Sequence, residues 1–213
     1  MNNPDTANVC AASNQSRAGL LRCGLNLEYV TLGWNVVGVV VVAVAALQAG
    51  SVALAGFGLD SLIEIFASVV VVWHLTESKR HNEKLALRLI GVAFLALAAY
   101  VIVQTVYILI AGGRPAPSVL GIVWLAVTVL AMLLLAWGKK VTGRQLDNPV
   151  LTAESRVTVI DAYLAGAVLV GVALNALLGW WWADPLSGLV IVYYAITEGM
   201  AHWREGSNVT GQQ

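Results

Sequence analysis

Two acidic residues, Asp60 and Glu64, stand four positions apart inside the apolar stretch GFGLDSLIEIFAS. Residues four apart in an α-helix share a face, so both carboxylates are predicted to project in one direction. Burial and a neighbouring negative charge both favour the protonated form of a carboxylate. A divalent cation requires deprotonated ligands and releases protons when it binds. The pair is therefore suited to exchanging protons for a metal cation.

The elements that position these carboxylates are predicted from long stretches without charge. Of the 213 residues, 59% are hydrophobic and 11% are charged, whereas a soluble domain has about 25% charged residues. No Asp, Glu, Lys or Arg interrupts residues 29–59, 89–113, 115–138 and 162–183. Roughly 20 apolar residues cross a hydrocarbon core. The first stretch is too long for one helix, and the sequence LQAGS at 47–51 provides a turn that divides it.

We therefore predict an all-α membrane protein with six transmembrane helices, at about residues 28–49, 52–74, 88–112, 117–138, 154–179 and 184–203. Residues 1–26 are predicted to form an N-terminal tail, residues 27–204 the transmembrane domain, and residues 205–213 a disordered C-terminal tail. The N-terminal segment lacks the basic-then-apolar pattern of a signal peptide, so we expect no cleavage.

The orientation is predicted from the basic residues. Every Lys and Arg except Arg114 falls on one side of the six predicted helices, and Lys139 is placed in the loop between the fourth and fifth. The positive-inside rule makes that side cytoplasmic, with both termini inside. We expect the chain to lie in the lipid bilayer of the plasma membrane, which in a bacterium is the inner membrane. The net charge of zero argues against a nucleic-acid partner.

Three acidic residues are predicted to lie deep in the membrane. Asp60 falls near the middle of the second helix, Glu64 one turn closer to the cytoplasm, and Asp161 two or three turns into the fifth helix. An ionisable group at such a depth costs about 2.5–3.5 kcal/mol on insertion scales and by default marks a transport pathway. No basic residue is predicted at the level of Asp60. We interpret the three acids as ligands of a transported cation.

Four other polar residues are candidates for auxiliary roles. Glu28, Glu154 and Glu198 are predicted closer to water, where they could line a cytoplasmic vestibule. They could equally be solvated acids or partners of Arg156. Asn35 is predicted about two turns into the first helix, where its amide could bind the cation or form an interhelical hydrogen bond.

The segments SVALAGFGLDSLIEIFAS, ESRVTVIDAYLAGAVLVG and ADPLSGLVIV resemble the cation diffusion facilitators. Members of that family are six-helix, usually homodimeric exporters of divalent metals such as zinc, which they exchange for protons. The resemblance implies a transport site with two residues four apart on the second helix and two on the fifth. Asp60, Glu64 and Asp161 match this pattern, whereas the fourth position falls on Val157, which cannot bind metal. We hypothesise that Asn35 or Glu28 replaces that ligand.

Only about ten residues follow the predicted sixth helix, so the resemblance is to a short branch without the family's C-terminal cytoplasmic domain. The expected function is export of a divalent cation in exchange for protons, with no organic cofactor and with a homodimer as the expected assembly. Family likeness places Zn²⁺ first, while the oxygen ligands leave Mn²⁺, Co²⁺ and Fe²⁺ open.

Other functions remain open from the sequence. The same acids could serve a passive cation channel or a small-solute carrier, and the chain could also be a membrane scaffold subunit that transports nothing. A membrane enzyme is disfavoured because the three histidines are predicted near the cytoplasmic face and no Ser–His or Cys–His pair is evident.

Overall fold

The structure, a computed structural model, describes residues 4–76, 83–147 and 149–208, with side chains for residues 18–66, 88–147, 151–152 and 155–204. These residues form helices joined by short turns and contain no strand. The six helices are α1 (Pro4–Ala49), α2 (Val52–Thr76), α3 (Glu83–Ala111), α4 (Val119–Gln145), α5 (Pro149–Leu178) and α6 (Ala183–Asn208). The all-helical prediction is confirmed for this part of the chain.

Four helices are long and apolar enough in their described residues to cross a membrane. The apolar segments are Ala18–Ala49 of α1, Arg88–Ala111 of α3, Val119–Gln145 of α4 and Ser155–Leu178 of α5. Each exceeds the roughly 20 residues that span a hydrocarbon core. That α2 and α6 also cross the membrane, and that both termini are cytoplasmic, stay predictions.

Each of the six helices extends beyond its predicted bounds at one end or both, and three of these extensions change a prediction. α1 begins at Pro4, within the predicted N-terminal tail, and a proline suits the first position of a helix because its φ angle is already helical. α6 continues to Asn208, so residues 205–208 of the predicted disordered tail are helical. α4 continues to Gln145 rather than ending near residue 138. Lys139 therefore lies within α4, and its predicted position in a loop is wrong.

The helix ends follow from local backbone chemistry. Gly50 ends α1 with a φ of 61°, and the Ser51 N–H donates to the carbonyl of Ala46 at 3.2 Å. This pattern is a Schellman motif, in which glycine adopts the left-handed conformation without a Cβ clash. Asp147 follows α4 with a φ of 50°, a conformation that Asp tolerates better than most residues. The predicted turn at 47–51 is thus a tight link between α1 and α2.

The chain divides into two compact units. The first comprises Met1–Gly33 and Val129–Tyr163, and the second comprises Trp34–Thr128 and Leu164–Gln213. In the first unit α4 lies close to both α1 and α5. A Cβ at Gly138 would stand 3.2 Å from the Leu27 side chain, and one at Gly143 would stand 2.8 Å from Thr152 Oγ1. Small residues at such points let helices approach closely.

In the second unit, α3 and α6 pack along each other and against α2. A Cβ at Gly91 would lie 2.9 Å from the Gly199 carbonyl oxygen, so the α3 and α6 backbones are nearly in contact there. Gly56 of α2 faces the side chains of Val101 and Ile191, both fully buried. This packing fixes the face of α2 that carries Asp60.

A buried carboxylate joins the starts of α2 and α6. Asp184, 1% exposed, lies in the first turn of α6. Its carboxylate accepts a hydrogen bond from the Ser51 hydroxyl and from the backbone N–H groups of Val52 and Ala53. Ser51 in turn accepts from the Leu54 N–H at 3.0 Å. Both residues therefore satisfy N–H groups that the first turn of α2 would otherwise leave without partners.

We expect Ser51→Ala to destabilise the purified protein more than Ser118→Ala, as measured by thermal unfolding in detergent. Ser118 is a matched control, because its hydroxyl accepts from the Gly121 N–H and caps α4 at 3.1 Å. Loss of one cap costs about 1 kcal/mol. Loss of Ser51 also removes a donor from the buried Asp184, which adds about 1–3 kcal/mol. Equal destabilisation by the two variants would show that the Asp184 contact adds nothing.

Candidate cation site

The second unit brings two of the predicted ligands and Asn35 together. Asp60 of α2 is 2% exposed, and Glu64 lies one turn further along the same helix. The Asn35 side-chain amide of α1 donates to Glu64 Oε2 at 3.3 Å. Asn35 thus forms the interhelical hydrogen bond that was one of its two predicted roles. Because an amide carries a carbonyl oxygen as well as an NH₂ group, the same side chain can also offer an oxygen to a cation.

Aromatic packing holds Asn35 in place. The preceding residue, Trp34, stacks on Trp124 of α4 with 5.0 Å between ring centroids and 16° between planes. Its indole N–H donates to Thr128 Oγ1 at 3.2 Å. These contacts fix the rotation of this part of α1, and hence the direction of the Asn35 side chain.

Asp60, Glu64 and Asn35 form the candidate cluster, and the atoms that they can offer to a metal ion are oxygens from two carboxylates and one amide. Among the described side chains, no three His, Cys, Asp or Glu residues gather into a group that could hold a metal ion. The carbonyl oxygen of the Asn35 amide is a neutral oxygen that can add to the ligands of an ion held by Asp60 and Glu64. Carboxylate and carbonyl oxygens suit hard divalent cations, and Zn²⁺ accepts carboxylate oxygen too.

Asp161 belongs to the first unit, where it is 7% exposed. Its membership of the cation site stays a prediction. Val157, one turn earlier on α5, is 39% exposed, and its side chain has no donor atom. The side chain of Glu154 lies outside the described residues.

Glu28 is paired with a lysine. Lys139 Nζ lies 2.9 Å from Glu28 Oε2, and the Lys139 side chain is only 1% exposed while that of Glu28 is 38% exposed. The partner is thus a residue that sequence analysis placed in a loop, rather than Arg156. A buried ammonium group needs a negative partner, so this pair accounts for the position of Glu28 at the start of the apolar part of α1.

Glu198 lies near a histidine on its own helix. His202 Nε2 is 3.7 Å from Glu198 Oε2, four residues along α6, and the His202 ring stacks on Phe94 of α3. Both acidic and imidazole groups are partly exposed, at 34% and 27%. The two side chains form a pair that the sequence did not predict, while the partial exposure of Glu198 agrees with the solvated acid that was one of its alternatives.

The contacts of Lys139 and Asp184 were not predicted from the sequence. Two adjacent lysines after an apolar run are typical of a helix that has left the membrane, so nothing in the sequence distinguishes Lys139 from Lys140. The partner of Asp184 lies 133 positions away. An acid in the first turn after a tryptophan run indicates a helix start, which is the signal that could have identified its capping role.

Residues 29–209 match the family model described as the cation efflux transmembrane domain. A comparison with curated proteins found no match. The matched region extends from the last residues of the first unit's α1 segment to the end of α6 and includes Asn35, Asp60, Glu64 and Asp161. The chain therefore belongs to the cation efflux (cation diffusion facilitator) family and is an integral membrane cation transporter.

Proposed function

We propose that the protein exports a divalent metal cation in exchange for protons, with Asp60 and Glu64 as ligands and proton carriers. The observation that carries this proposal is the arrangement on α2. Asp60 is almost fully buried, and Glu64, one turn away, accepts a hydrogen bond from the neutral amide of Asn35. Two carboxylates on one apolar helix are favoured when a cation or protons neutralise them.

Proton coupling follows from the chemistry of the ligands. A carboxylate must lose its proton before it binds metal, so protons arriving from the opposite side displace the ion. Moving one elementary charge out against an inside-negative potential of 100 mV requires about 2.3 kcal/mol, so a divalent cation requires about 4.6 kcal/mol. Inward proton movement offsets this requirement.

Zn²⁺ is the first candidate for the cargo because zinc is the cation expected from the family resemblance and binds carboxylate oxygen. Mn²⁺, Co²⁺ and Fe²⁺ are the next candidates, since the cluster offers oxygen and no imidazole or thiolate among its described members. Asp161 is proposed as a further ligand on the strength of its motif alone, and a homodimer in the plasma membrane with cytoplasmic termini completes the proposal.

Glu28 is proposed to stabilise the first unit rather than to attract cations. Its charge is offset by Lys139, which weakens its pull on a metal ion. Glu198 keeps its proposed place in a cytoplasmic vestibule, because its carboxylate is partly exposed. Glu154 shares that proposed vestibule role.

Asp60→Asn and Glu64→Gln are each expected to abolish Zn²⁺ and Mn²⁺ transport into proteoliposomes that carry a pH gradient, because an amide cannot exchange a proton. Asn35→Ala is expected to lower metal affinity by about 10–100-fold, the usual effect of removing a group that orients a ligand. Asp184→Asn is the matched control. It removes a buried carboxylate from the same unit, and per folded molecule it should transport like the parent. Full transport by Asp60→Asn would contradict the assignment.

The exchange itself is tested against the passive-channel alternative with a pH-sensitive dye trapped in the same vesicles. Each metal ion entering should be accompanied by protons leaving, and an imposed pH gradient should drive metal to accumulate above equilibrium. A channel would let metal in only down its own gradient, without opposed proton movement. Metal entry without opposed proton movement would show that the protein is a passive channel, and it would not contradict the assignment of Asp60 and Glu64 as ligands.

For the Glu28–Lys139 pair we expect unequal effects on thermal stability. Glu28→Gln removes the carboxylate that lies 2.9 Å from the buried Lys139 ammonium group and should cost about 3–5 kcal/mol. Lys139→Met should cost less, since Glu28 can reach water, and the double variant should be more stable than Glu28→Gln. Arg22→Met is the control, because Arg22 is an exposed basic residue of the same unit. If Lys139→Met instead raises metal affinity without loss of stability, Glu28 is a vestibule ligand held back by the lysine.

A further inference from the structure

A groove with a volume of about 610 Å³ opens between α4 and α5 within the first unit. Three basic side chains line it, those of Lys140, Arg144 and Arg156. Its apolar lining includes Leu133 and Trp137. The groove therefore combines a concentration of positive charge with an apolar wall.

The two kinds of lining residue occupy opposite ends of the groove. On α4 the lining positions 133, 137, 140 and 144 follow helical spacing, so they form one stripe that turns from apolar to basic towards the end of the helix. On α5 the apolar Ile160 lies one turn beyond Arg156, further from the start of the helix. The polarity thus changes in the same order on both walls.

The three basic side chains of the groove are available to an anionic ligand. All three side chains are exposed, and none of them forms an ion pair with an acidic side chain that the structure describes. By contrast, the neighbouring Lys139 is buried and paired with Glu28. Trp137, one turn from Lys140, is 68% exposed, and exposed tryptophans in membrane proteins favour the headgroup layer.

We propose that this groove binds one anionic phospholipid. The headgroup phosphate contacts Lys140, Arg144 and Arg156, and an acyl chain lies along Leu133, Trp137 and Ile160. Basic pockets between transmembrane helices bind anionic headgroups, and Arg pairs with phosphate through parallel hydrogen bonds. Free phosphate would occupy only the basic end and leave the apolar wall uncovered, so the lipid is the occupant that matches both ends.

The test uses the full-length protein, purified in detergent and stripped of lipid. The shift in its thermal unfolding midpoint is measured with added phosphatidylglycerol, with phosphatidylcholine of the same acyl chains, and with inorganic phosphate. Of these three additions, only phosphatidylglycerol should raise the unfolding midpoint of the parent protein. Each cation removed should weaken its binding about fivefold, so Arg144→Ala/Arg156→Ala should weaken it about 25-fold. Arg22→Ala, which removes an exposed charge of the same unit outside the groove, should bind like the parent.

An equal shift with phosphatidylcholine, or an undiminished shift in the double variant, overturns the proposal. If only inorganic phosphate shifts the midpoint, the groove binds a free anion, and the proposal of a bound lipid is likewise overturned. If the double variant does not fold, Lys140→Gln decides by native mass spectrometry, where it should retain less phosphatidylglycerol than Arg22→Ala. None of these measurements depends on transport, so they stand apart from the proposed function.

Discussion

An ionised carboxylate inside an apolar helical protein must be compensated, and this constraint governs the acidic residues of the chain. Glu28 is compensated by a lysine, at the cost of burying the ammonium group of Lys139. Asp184 accepts a hydrogen bond from the Ser51 hydroxyl and lies against N–H groups at the start of α2. Glu64 accepts a hydrogen bond from the neutral amide of Asn35. The first two contacts stabilise the fold, and the proposed function assigns the arriving cation to Asp60 and Glu64.

The proposed function divides these acidic residues into structural and transport roles. A carboxylate that is paired with a lysine, or that caps the start of a helix, cannot take up a proton or a metal ion without disturbing the structure around it. The α2 pair stands on a helix held by α3 and α6 through close glycine contacts, so its position is fixed. Under the proposed function only its charge changes. Rigid placement combined with exchangeable charge is what a metal–proton exchanger requires. Asn35, held by the stacked Trp34 and Trp124, extends that fixed frame to α1.

The sequence predicted those features that depend on local pattern. The shared face of Asp60 and Glu64 follows from their spacing, and the turn before Ser51 follows from its glycine. The features that it did not predict depend on pairing between distant segments. The start of α2 is completed by Asp184, and the continuation of α4 past residue 138 is stabilised by the burial of Lys139 against Glu28. The membership of Asp161 in the cation site rests on its motif, because residue spacing within α5 carries no information about α2.

The most direct test of the central claim is the number of protons released when the purified protein binds Zn²⁺ or Mn²⁺. Calorimetric titration in two buffers of different ionisation enthalpy gives this number. The account predicts release of protons near neutral pH, with a smaller release from Asp60→Asn and from Glu64→Gln than from the parent. Binding without proton release, or an unchanged release from both variants, would contradict the claim that these carboxylates hold protons until a metal cation replaces them.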